Sequence, residues 1–364
     1  MGRGYSLLVA VRCRLARMRA VGRVRLLFTP AIEVEFADRD RALRQVEELA
    51  ERGTRFPIVV YGPEGCGKTA LLRQAVEVLD EYGYKTILVS PLENELGRAL
   101  QVSPSIRGIA LEVLKAFSEP LTNLLQVALK VKALIEERFV RPRIALLLDD
   151  LFQSVGLENA ERYVKMLLNI IEYPSRPYEN IIVLVSSGEG LTRERIGRHG
   201  WCKICSLWNM SRGGFKQLYS QLPGEKPALE EVWKLTGGNP RALAKLYEAG
   251  WSPEAAIYDI IEGKRLYKLI HQLGRRELSA LEEALEDPDT LLAGGAEAEK
   301  TLGKLIELNL VAEIPARREH LWIDEPPPEK DHELGIGHYI AWQTPLHREA
   351  ARRALKEALR RGRV

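Results

Sequence analysis

Apolar residues fall into two kinds of pattern along this chain. In residues 56–61, 84–89, 144–148 and 180–187 they run almost unbroken, as expected of strands buried on both faces of a parallel sheet. Between these runs they recur every three or four positions, which marks helices. These cover 41–52, with Leu43, Val46, Leu49 and Ala50 on one side, a stretch opening at Ala70, 105–117, 120–139 with Pro120 at its first turn, and 157–173. Another strand-like run lies within 201–208. Five strands alternating with helices predict an α/β core of residues 31–209, a parallel sheet with helices on both faces.

From Ser211 the period is helical throughout, over 212–221, 227–235, 240–249 and 253–269. Gly237 and Gly238 end one of these helices and Pro240 opens the next. We read 210–272 as a helical lid. Beyond it come helices at 277–286, 290–292 and 296–309, short strands at 311–314, 321–324 and 338–342, and a closing basic helix at 347–361. Three helices followed by a β-hairpin predict a winged helix over 273–364.

Candidate chemistry enters directly after the first strand. Gly62-Pro63-Glu64-Gly65-Cys66-Gly67-Lys68-Thr69 is G-x-x-x-x-G-K-[ST] in the strand-to-helix setting that this motif requires. Glycines let successive N–H groups turn inward, and the helix starting at Lys68 and running through Ala70 adds the positive end of its dipole, so the loop cradles a polyphosphate. Lys68 is placed to reach the β- and γ-phosphates and Thr69 to ligate Mg²⁺, which makes ATP with Mg²⁺ the expected ligand pair. The strand at 144–148 ends in Asp149-Asp150, at the edge where open α/β sheets bind ligands. Asp149 is expected to hold Mg²⁺ through water, and Asp150 to orient or deprotonate the attacking water. Ser186 and Ser187 end the 180–187 strand with hydroxyls suited to sensing the γ-phosphate or that water. Arg193, Arg195 and Arg198 follow, either as an arginine finger or as a solvated helix face.

Charge and cysteine usage narrow the setting. The formal net charge of +3, with 46% hydrophobic and 28% charged residues, is ordinary for a soluble globular protein. No apolar run reaches the ~18 residues of a membrane span, and a cytoplasmic protein without a membrane partner is expected. Residues 1–28 carry seven arginines and no acidic residue. An unstructured extension, a basic arm for nucleic acid and a targeting peptide all fit, and 1–30 is treated as a basic N-terminal extension; Met18 or a nearby codon would serve equally as the start. Of Cys13, Cys66, Cys202 and Cys205, Cys66 lies where a disulfide would obstruct the phosphate, which points to a reducing compartment. Cys202 and Cys205 form C-x-x-C near His199, but residues three apart on a strand face opposite ways. Buried structural cysteines are therefore preferred to a metal or redox site.

With the phosphate loop, the Asp149-Asp150 pair, Ser186-Ser187, residues 36–39 and Gly237-Gly238-Asn239-Pro240 together, the chain resembles the archaeal ATPase family. That family sits in the AAA+ and STAND group of P-loop proteins and is akin in domain order to the origin-recognition initiators. The resemblance covers about residues 31–361. It implies an ATPase core, a helical lid and a carboxyl-terminal winged helix. It also implies that Phe36, Arg39 and Pro240 flank the adenine and that Arg241 is a second sensor. The departure is Asp150, where AAA+ machines usually carry Glu; STAND proteins often show an Asp pair here and act as slow switches.

Three functions follow as expectations: a slow ATP-hydrolysing switch, an ATP-dependent nucleic-acid factor, and a nucleotide-stabilised interaction module. The candidate recognition helix sets Glu297, Glu299 and Glu307 against Lys300 and Lys304, and the candidate wing from Asp324 to Glu333 is acidic with three prolines. Arg317, Arg318, Arg352, Arg353, Lys356, Arg360 and Arg361 argue the other way. A protein partner for the winged helix is preferred and DNA is not favoured. An oligomer stays open, since finger arginines act across a subunit interface or simply face water.

Overall fold

The computed structural model describes residues 21–93, 95–116, 124–188, 190 and 192–360. Residues 1–20, with Cys13 and Met18, the helix start expected at Pro120, and Arg361 lie outside the described residues.

A hairpin opens the chain, β1 (Arg25–Thr29) with β2 (Ile32–Glu35), so the arginine-rich extension expected over 1–30 is folded in its last part. Leu26 and Phe28 anchor it, the first against the sheet core and the second against the lid core. Next come α1 (Asp40–Arg52), β3 (Ile58–Tyr61), α2 (Lys68–Glu81), β4 (Lys85–Val89), α3 (Leu96–Ala99), β5 (Leu100–Val102), α4 (Arg107–Ala116), α5 (Leu124–Arg138), β6 (Arg143–Leu148), α6 (Leu151–Val155), α7 (Ala160–Glu172), β7 (Asn180–Ser187), α8 (Thr192–Ile196) and β8 (Lys203–Ser206).

These strands form a six-stranded sheet in the order β5-β4-β6-β7-β3-β8. All pairings are parallel except β5 with β4. The antiparallel edge strand lies outside the elements that the apolar pattern marks, because three residues are too few to show a period. Alternation along the buried strands fills two cores. Val59, Ile144, Leu146 and Leu148 face α4 to α7, while Ile58, Val60, Ala145 and Leu147 face α1 and α2. Cys202 packs on the first of these faces and Cys205 on the second, and burial pushes the Cys202 thiol up to about 11. His199 pairs with Glu161 and stacks on Trp201.

The remainder is α9 (Arg212–Ser220), α10 (Leu229–Thr236), α11 (Pro240–Glu248), α12 (Pro253–Gly263), α13 (Leu266–Gln272), α14 (Arg275–Glu286), α15 (Thr290–Ala293), α16 (Gly295–Glu307), β9 (Val311–Glu313), β10 (Ile340–Trp342) and α17 (Pro345–Arg360). The single helix expected over 253–269 breaks at Arg265, which takes the left-handed conformation at φ 52°. One continuous hydrophobic core runs from Phe215 and Leu243 through Ile261 and Leu281 to Leu355, so α9 to α17 pack as one body.

β9 and β10 pair as expected, but 321–324 does not join them. Instead the Ile323 N–H donates to the Ser206 carbonyl at 2.8 Å, and Trp322 bridges the same residue, so the segment closes the exposed edge of β8. The Gln45 side chain donates to the Trp322 carbonyl at 2.9 Å and accepts the Asp324 N–H at 2.8 Å. Asp324 then forms a buried ion pair with Arg39 at 2.7 Å. The other arm of Arg39, Nη2, donates to the carbonyls of both Cys66 at 2.7 Å and Trp208 at 2.8 Å. A residue from the far end of the chain thus props the phosphate loop from beneath.

A buried charge without its partner is costly, so Asp324→Ala should lower unfolding stability by about 3–5 kcal/mol in a denaturant titration. The double variant Arg39→Met, Asp324→Leu should regain much of that. A single variant within about 1 kcal/mol of wild type would show that the pair is not what holds the segment down.

Candidate functional site

The carboxyl ends of β3, β6 and β7 open into a cleft of about 740 Å³, lined also by residues of the β1–β2 hairpin and of α11. Its floor is the glycine-rich loop. Gly65 has φ 76°, and a Cβ there would stand 2.1 Å from that of Arg241; Gly67, at φ 104°, caps α2. Neither position accepts a side chain without strain. The helix then starts at Lys68, and its first N–H groups, including those of Thr69 and Ala70, have no partner within the helix. Both residues line the cleft. Lys68 Nζ donates to the carbonyls of Gly62 at 2.8 Å and Pro63 at 3.0 Å, which holds the ammonium over the loop.

Opposite the loop stand the two carboxylates. Asp149 is buried; its Oδ1 accepts from Ser186 Oγ at 2.6 Å and its Oδ2 from Ser90 Oγ at 3.4 Å. Ser186 Oγ in turn accepts the Asp150 N–H at 2.9 Å. Asp150 sits in the left-handed region at φ 46°, strain of the kind that gathers at functional positions. Burial, and then the neighbouring Asp149, push its carboxyl above the usual range, against the opposing charges of Lys68 and Arg241. Ser186 is thus a hydroxyl that touches both members of the pair. Ser187 is buried in β7 and is not among the lining residues.

Phe36, Arg39 and Pro240 all line the cleft. Phe36 closes its apolar end with Leu26, Val34, Met210 and Leu218. Arg39 is almost wholly buried by the Asp324 pair, so its guanidinium builds the floor. Pro240 opens α11, whose Asn239 cap accepts the Ala242 N–H at 2.9 Å. Arg241 leans over the loop, its N–H donating to the Gly65 carbonyl at 3.3 Å and its guanidinium to Glu64 at 2.7 Å. Arg193 is not brought here. It pairs with Glu313 of β9 at 3.1 Å, beside the Tyr61 hydroxyl that donates to the Glu313 carbonyl at 2.6 Å.

Ser90, Gln153, Asn309 and Gln343, all outside the sequence motifs, complete the site together with Asn239 of the Gly-Gly-Asn-Pro turn. Ser90 and Gln153 line it beside the carboxylates, and Asn309 enters from the turn after α16. Gln343 Oε1 accepts the Glu64 N–H at 2.7 Å, and Asn239 Nδ2 donates to the Glu64 carbonyl at 2.9 Å and to Asn209 Oδ1 at 2.8 Å. Only Asn239, as a helix cap before Pro240, carried a local signal.

A glycine-rich loop between β3 and its helix, with a lysine over it and carboxylates at the end of β6 in the same sheet, defines the P-loop class of α/β protein. A family model described as an ATPase domain predominantly from Archaea matches residues 36–246, more than half of the chain. The chain belongs to this archaeal ATPase family. It is 43% identical over 53 residues to chromosomal replication initiator protein DnaA 1 of Chlamydia muridarum, a match spanning 14% of this chain and 12% of that protein. Among solved structures it is similar to the ORC2 protein of Aeropyrum pernix in its ADPNP-ADP complexes, at 14% identity and TM-score 0.40, covering 90% of this chain and 98% of that one. It is also similar to CDC6P of Pyrobaculum aerophilum, at 15% identity and TM-score 0.37, covering 91% and 98%.

The raised Asp150 carboxyl has a stability consequence. A carboxyl whose folded value lies above its unfolded value of about 4 destabilises the fold as pH rises through that interval. Asp150→Asn should therefore melt about 1–3 °C higher than wild type at pH 7 in the absence of nucleotide, and the gain should vanish below about pH 4. A variant that melts lower at pH 7 would contradict the strained, desolvated description of this carboxylate.

Proposed function

We propose that the cleft binds ATP with Mg²⁺ and hydrolyses it slowly, and that the nucleotide state is read by the lid and the carboxyl-terminal body. One observation carries this reading: Lys68 and Thr69 after β3, and Asp149 and Asp150 after β6, line one cleft floored by helix-start amides. The oxygen donors Thr69 and Asp149 suit a hard cation that keeps most of its other ligands from phosphate and water. Bound there, Mg²⁺ would offset phosphate charge.

Each residue then has a distinct task. Lys68 takes the β- and γ-oxygens, and loop amides take the remaining phosphate charge. Asp150 accepts a hydrogen bond from a water in line with the terminal phosphorus; the water oxygen joins phosphorus as the bond to the bridging oxygen breaks, leaving ADP and phosphate. The shorter reach of Asp compared with Glu favours slow turnover and a long-lived ATP state. Ser186 is a positioning residue, fixing both carboxylates through one hydroxyl.

The carboxyl-terminal body, read as a winged helix over 273–364, fits a protein partner better than DNA. Lys300 and Lys304 of α16 are paired with Glu297 and Glu277. Arg317 donates to the carbonyls of Pro327, Pro328, Glu329, Gly337 and His338, and Arg352 pairs with Glu286. Arg353 lies over Tyr258. Few of these cations are left for phosphates.

Two variants test the reading together. Lys68→Ala should abolish ATP binding or turnover. Asp150→Asn should keep ATP affinity within about threefold while lowering turnover on the order of 100-fold, the cost of losing a positioned water. Unchanged turnover in Asp150→Asn would place the water-orienting group elsewhere, and unchanged affinity and turnover in Lys68→Ala would remove the assignment of the cleft.

A further inference from the structure

Glu64 belongs to the phosphate loop, yet its carboxylate faces the lid. Oε1 accepts from Arg241 Nη1 at 2.7 Å and Oε2 from Lys264 Nζ at 3.0 Å. The backbone that presents it is fixed at both ends, its N–H by Gln343 and its carbonyl by Asn239, two side chains that are themselves buried. Lys264 and Arg241 overcome the burial of this carboxyl and draw it down to about 2, so it is ionised at any physiological pH.

Arg241 lies between two anionic neighbourhoods. It shares the cleft lining with Lys68, Thr69 and Asp150, and its charge is felt at Asp150 on the far side. Its backbone N–H is tied to the Gly65 carbonyl, and its side chain lines the cleft while its guanidinium is held by Glu64. Any anion that enters between Lys68 and Asp150 meets an arginine already engaged.

We propose that Glu64 is a specificity-determining residue: an anion built into the loop that competes with the terminal phosphate of a nucleoside triphosphate for Arg241, and so limits the preference for triphosphate over diphosphate. This rests on the nucleotide reading given above. A diphosphate ends within the loop amides and Lys68 and leaves the Arg241–Glu64 pair intact. A triphosphate reaches toward Asp150 and draws the guanidinium away, at the cost of that pair. Lys264, less exposed than Arg241, keeps its hold on Glu64 in both cases, so the lid stays docked. The Arg241 pair is more than half exposed on the arginine side, and water screens it, so the competition amounts to a factor of about 3–10 in affinity.

The test is equilibrium binding of ADP and of a non-hydrolysable ATP analogue, each with Mg²⁺, to the full chain as wild type, Glu64→Gln, Arg241→Ala and the double variant. Glu64→Gln should tighten the triphosphate about 3–10-fold and move ADP less than about twofold. In the Arg241→Ala background the same change should move the triphosphate less than about twofold, because the competing cation is gone. Equal shifts for both nucleotides, weaker binding of both, or the full gain without Arg241 would overturn the proposal. If Glu64→Gln does not fold, Glu64→Asp, which lengthens the pair, should give the same selectivity in smaller measure, and its absence counts equally against the idea. Failure of the wild type to bind either nucleotide would remove the nucleotide reading itself, and this proposal with it.

Discussion

Apart from Lys68, which holds the Gly62 and Pro63 carbonyls, the phosphate loop takes little of its shape from its own side chains, and the organisation of this molecule follows from that constraint. The peptide groups of the phosphate loop are gripped from outside the sheet. Gln343 and Asn239 hold the two ends of Glu64, and Arg39 holds the carbonyl of Cys66. Arg39 is held in turn by Asp324. Three stretches far apart in sequence therefore converge on one strand-to-helix turn. The arrangement that positions N–H groups for a phosphate is a joint product of core, lid and carboxyl-terminal body.

This gives the site a mechanical character. Asn239 caps the helix that carries Arg241, and its amide also joins Asn209 and Glu64 in one buried network. Buried polar networks of this kind tolerate little displacement, because a broken bond leaves a desolvated group behind. A shift of the loop on binding phosphate has to be matched by α11 and by the segment around Gln343. On the proposed reading, coupling from nucleotide to the rest of the chain needs no long relay.

Much of the α/β part was legible in sequence, because its signals are local. Unbroken apolar runs marked the parallel strands, and the motif at 62–69 marked the turn between β3 and α2. Asp149 and Asp150 stood where a strand ended. What was not legible depends on contacts between distant segments. Residues 321–324 have the composition of a strand, and nothing in them says that the partner is β8 rather than β9. β5 is three residues long, and Gln343 follows a short strand with no feature to distinguish it. Arg193 looked equivalent to any arginine near a sheet edge until Glu313 was placed beside it. Ser186 and Ser187 were indistinguishable until the register of β7 showed which one faces Asp149.

The central claim is that nucleotide bound at the loop is felt at once by the lid and by the carboxyl-terminal body. Amide hydrogen exchange of the full chain, with and without ATP and Mg²⁺, measures this directly. Protection should rise in residues 62–70 and, together with them, in 237–242, 322–324 and 343–344. Protection confined to 62–70, with the other three segments unchanged, would show that the contacts to Asn239, Asp324 and Gln343 are passive and that the coupling described here does not exist.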